Sequence, residues 1–149
     1  MLNKDLIILN FETNSNDKFD ILKNISNVLS EKINLDNDIL LSSLIEREKI
    51  SPTAIGENIA IPHAKIGNLA NPHIAIIKLD KIIKWDIEED EDVDLLIIMI
   101  MPKESKENIH LQIMSKIARN IFNDEFIDTI RHSNNIDKIY DITKKIIES

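Results

Sequence analysis

Apolar positions along the chain switch period several times, and the switches outline its elements. Residues 5–9 (Asp-Leu-Ile-Ile-Leu) read as a short strand. Over residues 18–33 the apolar side chains are Phe19, Leu22, Ile25, Leu29 and Ile33, at the steps of three and four that mark a helix with one buried face. Asp17 is placed to cap it. A second helix is expected over 37–49, with Leu40, Leu41, Leu44 and Ile45 inward, Glu46-Arg47-Glu48 at its end, and Pro52 stopping it. Residues 59–61, 73–79 and 82–85 read as strands. Residues 94–101 form an uninterrupted apolar strand ending at Pro102, and a strand apolar on both faces belongs in the middle of a sheet covered on both sides. A helix over 105–122 follows, with Ser105 as its cap and Ile109, Ile113, Ile117 and Ile121 on its buried face; two more helices span 124–131 and 135–148. This order predicts an α/β fold, a three-layer sandwich in which a mixed β-sheet has helices on both faces.

Composition narrows the chemistry. The 149 residues contain no cysteine, so disulfides, cysteine metal sites and thiol nucleophiles are excluded. Length and the absence of any linker-like tract lead us to expect one domain over residues 1–149. The longest apolar run, Leu95 to Met101, is far short of the roughly 20 residues of a membrane helix, and the first residues form no apolar signal segment. A cytoplasmic protein without membrane insertion is expected. The net charge of −8 disfavours nucleic acid and anionic lipid. It favours a basic protein partner without naming one, and acidity also keeps many small proteins in solution.

Glycine and proline cluster at Pro52, Gly56, Pro62, Gly67 and Pro72, which marks one turn-rich region. Within it His63 follows the short apolar strand Ile59-Ala60-Ile61 in the run Ile59-Ala60-Ile61-Pro62-His63-Ala64, at the strand's end and behind a proline that stiffens the backbone. Upstream, Ser51-Pro52-Thr53-Ala54-Ile55-Gly56-Glu57-Asn58 offers hydroxyls and backbone N–H groups suited to cradling an oxyanion or phosphate. Three further histidines occur. His132 sits at a helix C-terminus, where the dipole alone explains it. His73 opens a strand and has nothing to single it out. His110 lies near a helix N-terminus, where it either faces an anion or edges the core. No His pair has zinc-motif spacing, so no metal site is expected.

Taken together, Glu46-Arg47-Glu48, Ser51-Pro52-Thr53-Ala54-Ile55-Gly56 and Ile59-Ala60-Ile61-Pro62-His63-Ala64 resemble the signature of the fructose–mannitol type EIIA domain of the bacterial sugar phosphotransferase system. Trp85, the apolar strand ending at Pro102, and His110-Leu111 opening a helix extend the resemblance over nearly the whole chain. Where that family commonly has glycine two residues after the position of Gly56, this chain has Asn58, a residue type that tolerates left-handed backbone.

The resemblance implies a phosphoryl carrier. HPr donates the phosphoryl group, EIIB accepts it, and the EIIC membrane component is reached indirectly. His63 matches the phosphorylated histidine, with Nε2 as the carrying atom; His110 matches the second active-site histidine, and Arg47 the arginine of the R-E motif. No cofactor, nucleotide or metal is required. For transient docking, Ile59, Ile61, Ile66 and Leu69 are candidates for an apolar patch around His63, although Ile59 and Ile61 fit the core better as strand residues. The regulatory, nitrogen-related branch of the same family remains the alternative, with protein binding as its output, and a phosphorylation-dead interaction domain is a third reading.

Overall fold

In a computed structural model that describes residues 2–104 and 109–149, the apolar run lies at the centre of the sheet as strand β6, Glu91–Pro102. It pairs antiparallel with β5, His73–Asp86, which in turn pairs parallel with β1, Leu2–Phe11. On its other side β6 carries two short parallel partners in succession, β3 (Ile59–Ala60) and β4 (His63–Ile66). Strand β2, Ala54–Gly56, forms an antiparallel hairpin with β3, which gives the order β1-β5-β6-β3-β2 with β4 also on β6. The sheet is mixed, as expected.

The alternation of side chains along β6 divides the core. Leu96, Ile98 and Ile100 face helices α1 (Lys18–Ile33) and α2 (Asn37–Ile50), among Leu22, Ile25, Leu29, Leu40 and Leu44. Leu95, Ile97, Met99 and Met101 face the opposite way, against α3 (Ile109–Asn120), α4 (Asp124–His132) and α5 (Ile136–Glu148). Burying each such side chain contributes about 1.5–3 kcal/mol. Two helical layers therefore sandwich the sheet.

Several boundaries differ from the expectation for physical reasons. Residues 73–79 and 82–85 are one strand, because the ladder with β6 merely shifts register between Lys78 and Ile83, where Asp80, Lys81 and Ile82 are exposed. The buried stripe of α3 begins at Ile113; Ile109 is the helix's first residue and is 41% exposed. Asp17 caps α1 as expected, its side chain accepting from the Phe19 N–H. The expected cap Ser105 lies outside the described residues. Ile66 is buried rather than part of a surface patch, since β4 continues through it and points it toward α1 and α2; Ile59 and Ile61 are core as well. Leu69 is partly buried against the same core.

Candidate functional site

The break between β3 and β4 sets the site. Pro62 has no N–H to give to the ladder, so pairing lapses at Ile61–Pro62 and resumes at His63, which stands opposite Met99. His63 thus opens a strand, where the sequence reading placed it at a strand's end. The far edge of β4 is covered by α2. The Ser43 hydroxyl accepts from the Lys65 N–H at 3.0 Å and donates to the Lys65 carbonyl at 3.3 Å. That clip fixes the register between helix and strand. One helical turn beyond Ser43 comes Arg47, and two strand residues before Lys65 comes His63; both steps span about 6 Å, so the two side chains meet.

They meet directly. Arg47 Nε donates to His63 Nε2 at 2.8 Å, while Arg47 Nη1 donates to the Ser51 carbonyl at 2.8 Å. A guanidinium offers only donors, so His63 Nε2 must hold a lone pair. The ring proton then sits on Nδ1, which lies 3.1 Å from the Ile61 carbonyl and donates to it. The half-buried imidazole titrates below its ordinary value of 6.5, mainly because burial disfavours the charged form and also because Arg47 and Lys65 are positive; the Ile61 bond works the other way. The ring is therefore held neutral, in one tautomer, with a nucleophilic nitrogen aimed out of the strand.

His63 and Arg47 line a cleft of about 310 Å³ together with Pro52, Thr53 and Ile55 from the loop and Met114, Ser115 and Ala118 from α3. Helix α3 is the element that carries His110, and the side chain of His110 lies outside the described residues. His132 ends α4 and His73 opens β5, both away from this cleft. The loop bends through three positive φ angles in succession, at Gly56, Glu57 and Asn58 (91°, 55° and 61°), so Asn58 does adopt the left-handed backbone its residue type tolerates.

Sequence reasoning missed the group beneath the cleft. Glu48, read as the polar end of α2, is 2% exposed and surrounded by donors from Lys18, Thr53 and Trp85. The signal was there: Glu48 continues the stripe Leu40–Leu44 at steps of four, and a carboxylate on a buried stripe must be paired.

An imidazole with an unprotonated Nε2, a guanidinium bonded to that nitrogen and a cleft beside it can accept a group from an electrophile once the guanidinium moves aside, and can steady negative charge on it. Among the described residues no helix is long and apolar enough to cross a membrane.

Comparison with known proteins bears on the family and the fold. A fructose-specific EIIABC component of Bacillus subtilis is 31% identical over 144 residues, covering 95% of this chain and 22% of that one. A nitrogen regulatory protein of Pseudomonas aeruginosa is 28% identical over 123 residues, covering 82% of this chain and 79% of that one. The crystal structure of the nitrogen regulatory protein IIA-Ntr from Neisseria meningitidis superposes with a TM-score of 0.84 over 95% of both chains at 22% identity, which shows a shared fold. The profile of one family matches residues 1–146, and the chain belongs to that family, the EIIA 2 components of the phosphoenolpyruvate-dependent sugar phosphotransferase system.

Proposed function

We propose that this chain is a single-domain cytoplasmic phosphocarrier in which His63 Nε2 accepts a phosphoryl group from phospho-HPr and passes it to an EIIB component for sugar uptake. The observation that carries the reading is the tautomer. Arg47 on Nε2 and the Ile61 carbonyl on Nδ1 leave the nucleophilic lone pair on the nitrogen that faces the cleft.

In the transfer, the bond from phosphorus to the donor's nitrogen breaks as a bond from phosphorus to His63 Nε2 forms. The loose, in-line transition state gathers charge on the equatorial oxygens. Arg47 yields Nε2 to the phosphorus and keeps its donors on those oxygens, only a short movement away. The ring gains positive charge as Nε2 bonds phosphorus, and the Nδ1–H bond to the Ile61 carbonyl steadies it. Return of the group to EIIB reverses these steps. His110 is the second donor in this reading: position 110 falls four and eight residues before Met114 and Ala118, the repeat of one helix stripe, and both of those line the cleft. An EIIB partner is supported by the Bacillus relative, whose name joins A, B and C components in one chain.

The regulatory reading keeps the same histidine chemistry and is favoured by one observation, that the Pseudomonas nitrogen regulatory protein is matched over most of its own length. Incubation with enzyme I, HPr and phosphoenolpyruvate tests the shared step. Intact mass should show one acid-labile phosphoryl group on the wild type and none on His63→Ala; a wild type that gains nothing from a cognate HPr overturns the proposal. Transfer onward to an EIIB then separates transport from regulation.

A further inference from the structure

Glu48 carries the furthest inference. Its Oε1 accepts from Lys18 Nζ at 3.1 Å, the Thr53 N–H at 2.9 Å and Trp85 Nε1 at 2.8 Å, and its Oε2 accepts from the Thr53 hydroxyl at 2.6 Å. Every partner is a donor, which an acceptor-only carboxylate suits. Stability alone is a poor reason for such a group, because a buried ion pair often contributes no more than a well-packed apolar substitute.

Hydrogen bonds lead from Thr53 to Nδ1 of the His63 ring, and the chain itself, two residues back to Ser51, leads to Arg47 on Nε2. The Thr53 carbonyl accepts from the Ile61 N–H at 2.9 Å, and the Ile61 carbonyl accepts from Nδ1. Two residues before Thr53, the Ser51 carbonyl holds Arg47 Nη1, and Arg47 Nε reaches Nε2. Thr53 is thus the shared footing of the Ile61 carbonyl on one side of the ring and the Arg47 guanidinium on the other, and Glu48 grips Thr53 by both its N–H and its hydroxyl.

We propose that Glu48 is a positioning residue for phosphoryl transfer, acting through Thr53 to hold the His63 ring in the Nδ1–H tautomer with Arg47 aligned on Nε2. It touches neither phosphorus nor His63. This rests on the reading of His63 as the phosphoryl carrier.

The test uses Glu48→Met, which removes both oxygen acceptors and leaves only a weakly accepting sulfur while keeping the length of the side chain, beside Glu48→Gln, whose amide still accepts from the Thr53 N–H and can donate to the Thr53 hydroxyl. Two quantities are read. One is the rate of phosphoryl acceptance from phospho-HPr, split into kcat and KM. The other is the ¹⁵N NMR signature of the His63 tautomer in the unphosphorylated protein. Glu48→Met is expected to lose roughly 10- to 100-fold in kcat with KM little changed, the effect of a small misplacement of reacting groups. Its His63 is expected to shift toward a mixture of tautomers, whereas Glu48→Gln stays close to wild type in both. Should Glu48→Met fail to fold, Thr53→Val against Thr53→Ser asks the same question at the other end of the grip, with loss expected in the first and retention in the second. A folded Glu48→Met or Thr53→Val with wild-type kcat and wild-type tautomer overturns the inference. A wild type that is never phosphorylated on His63 instead overturns the carrier reading, and the tautomer measurement still decides whether Glu48 positions the ring.

Discussion

Arg47 Nε stands 2.8 Å from Nε2 of His63, so the guanidinium occupies the place from which phosphorus would approach in the proposed transfer. Arg47 also holds the Ser51 carbonyl through Nη1, and only a planar fork with several donors reaches both at once. Arg47→Met is expected to lower phosphoryl acceptance roughly 100-fold, as removal of an oriented cation from a charged transition state does. Arg47→Lys should recover only part, because a point charge cannot keep the Ser51 anchor and the oxygens together. Single-turnover rates with phospho-HPr check both, and equal rates for Lys and Arg would rule out the fork.

In the proposed transfer, protonation of His63 sets the acid limb of phosphoryl acceptance. The attacking nitrogen must be unprotonated, and burial first, then the positive charge of Arg47, keep the ring below its ordinary value of 6.5. Acceptance is therefore expected to hold its plateau below pH 6.5 and to fall at a midpoint on the acid side of that value. In Arg47→Met the midpoint should rise, since a cause of the lowering is gone. The linkage has a definite sign. Between 6.5 and the folded value the unfolded chain takes up a proton that the folded chain refuses, so the contribution of His63 to stability is full above 6.5 and declines as pH falls below it. Following the His63 ring protons by NMR from pH 8 to pH 4 reads the midpoint directly, and a midpoint above 6.5 would contradict the burial argument.

How much of this was legible in the sequence differs between the layers. The period of α1, the doubly apolar β6 and the Asp17 cap are local patterns, and each appears where it was read. The pairing of β3 and β4 in turn along β6 is not local, because nothing in Ile59–Ile66 says that a single neighbouring strand serves both sides of the Pro62 break. His63 and Arg47 were legible as members of a motif, yet their contact depends on the Ser43–Lys65 clip, which joins residues 22 apart. Glu48 was hidden for a different cause. A charged residue near a helix end reads as solvated, and its burial is decided by Trp85 and Lys18 arriving from other elements.

Partner docking should depend on Ile55. Ile59, Ile61 and Ile66 are all core, so the loop's exposed apolar contribution to the cleft comes from Pro52 and from Ile55, the larger side chain, 37% exposed and lining it with His63. Ile55→Glu leaves the ring, Arg47 and Thr53 in place but puts a charge on the face that the proposed phosphoryl donor would cover. The expected result is a KM for phospho-HPr raised about tenfold with kcat nearly unchanged, a loss of uniform binding. Steady-state kinetics decide it, and a fall in kcat at constant KM would place Ile55 in the chemistry instead.

Asn58 tests the loop's backbone rather than its side chains. Its φ is 61°, following Glu57 at 55°, and its carbonyl accepts from the N–H groups of Asp94 and Leu95 at 3.1 and 3.3 Å, which ties the hairpin to β6. The guanidinium of Arg131 donates to the neighbouring Glu57 carbonyl, so the turn is held from two sides and cannot relax by unwinding. A residue with an ordinary Cβ must then carry the left-handed strain itself. Asn58→Ala is expected to cost about 1 kcal/mol, and Asn58→Val more, because branching at Cβ worsens the crowding. Asn58→Gly should lie within about 0.5 kcal/mol of wild type, since its relief of native strain is offset by the freedom it gives the unfolded chain. Urea unfolding monitored through Trp85 measures all three. The ordering Gly near wild type, then Ala, then Val is the outcome that identifies backbone conformation as the reason for asparagine here; an Ala variant as stable as wild type would show that the turn yields. Because the two clamps on this turn act through main-chain carbonyls, phosphoryl acceptance in the folded Ala variant should stay near the wild-type rate.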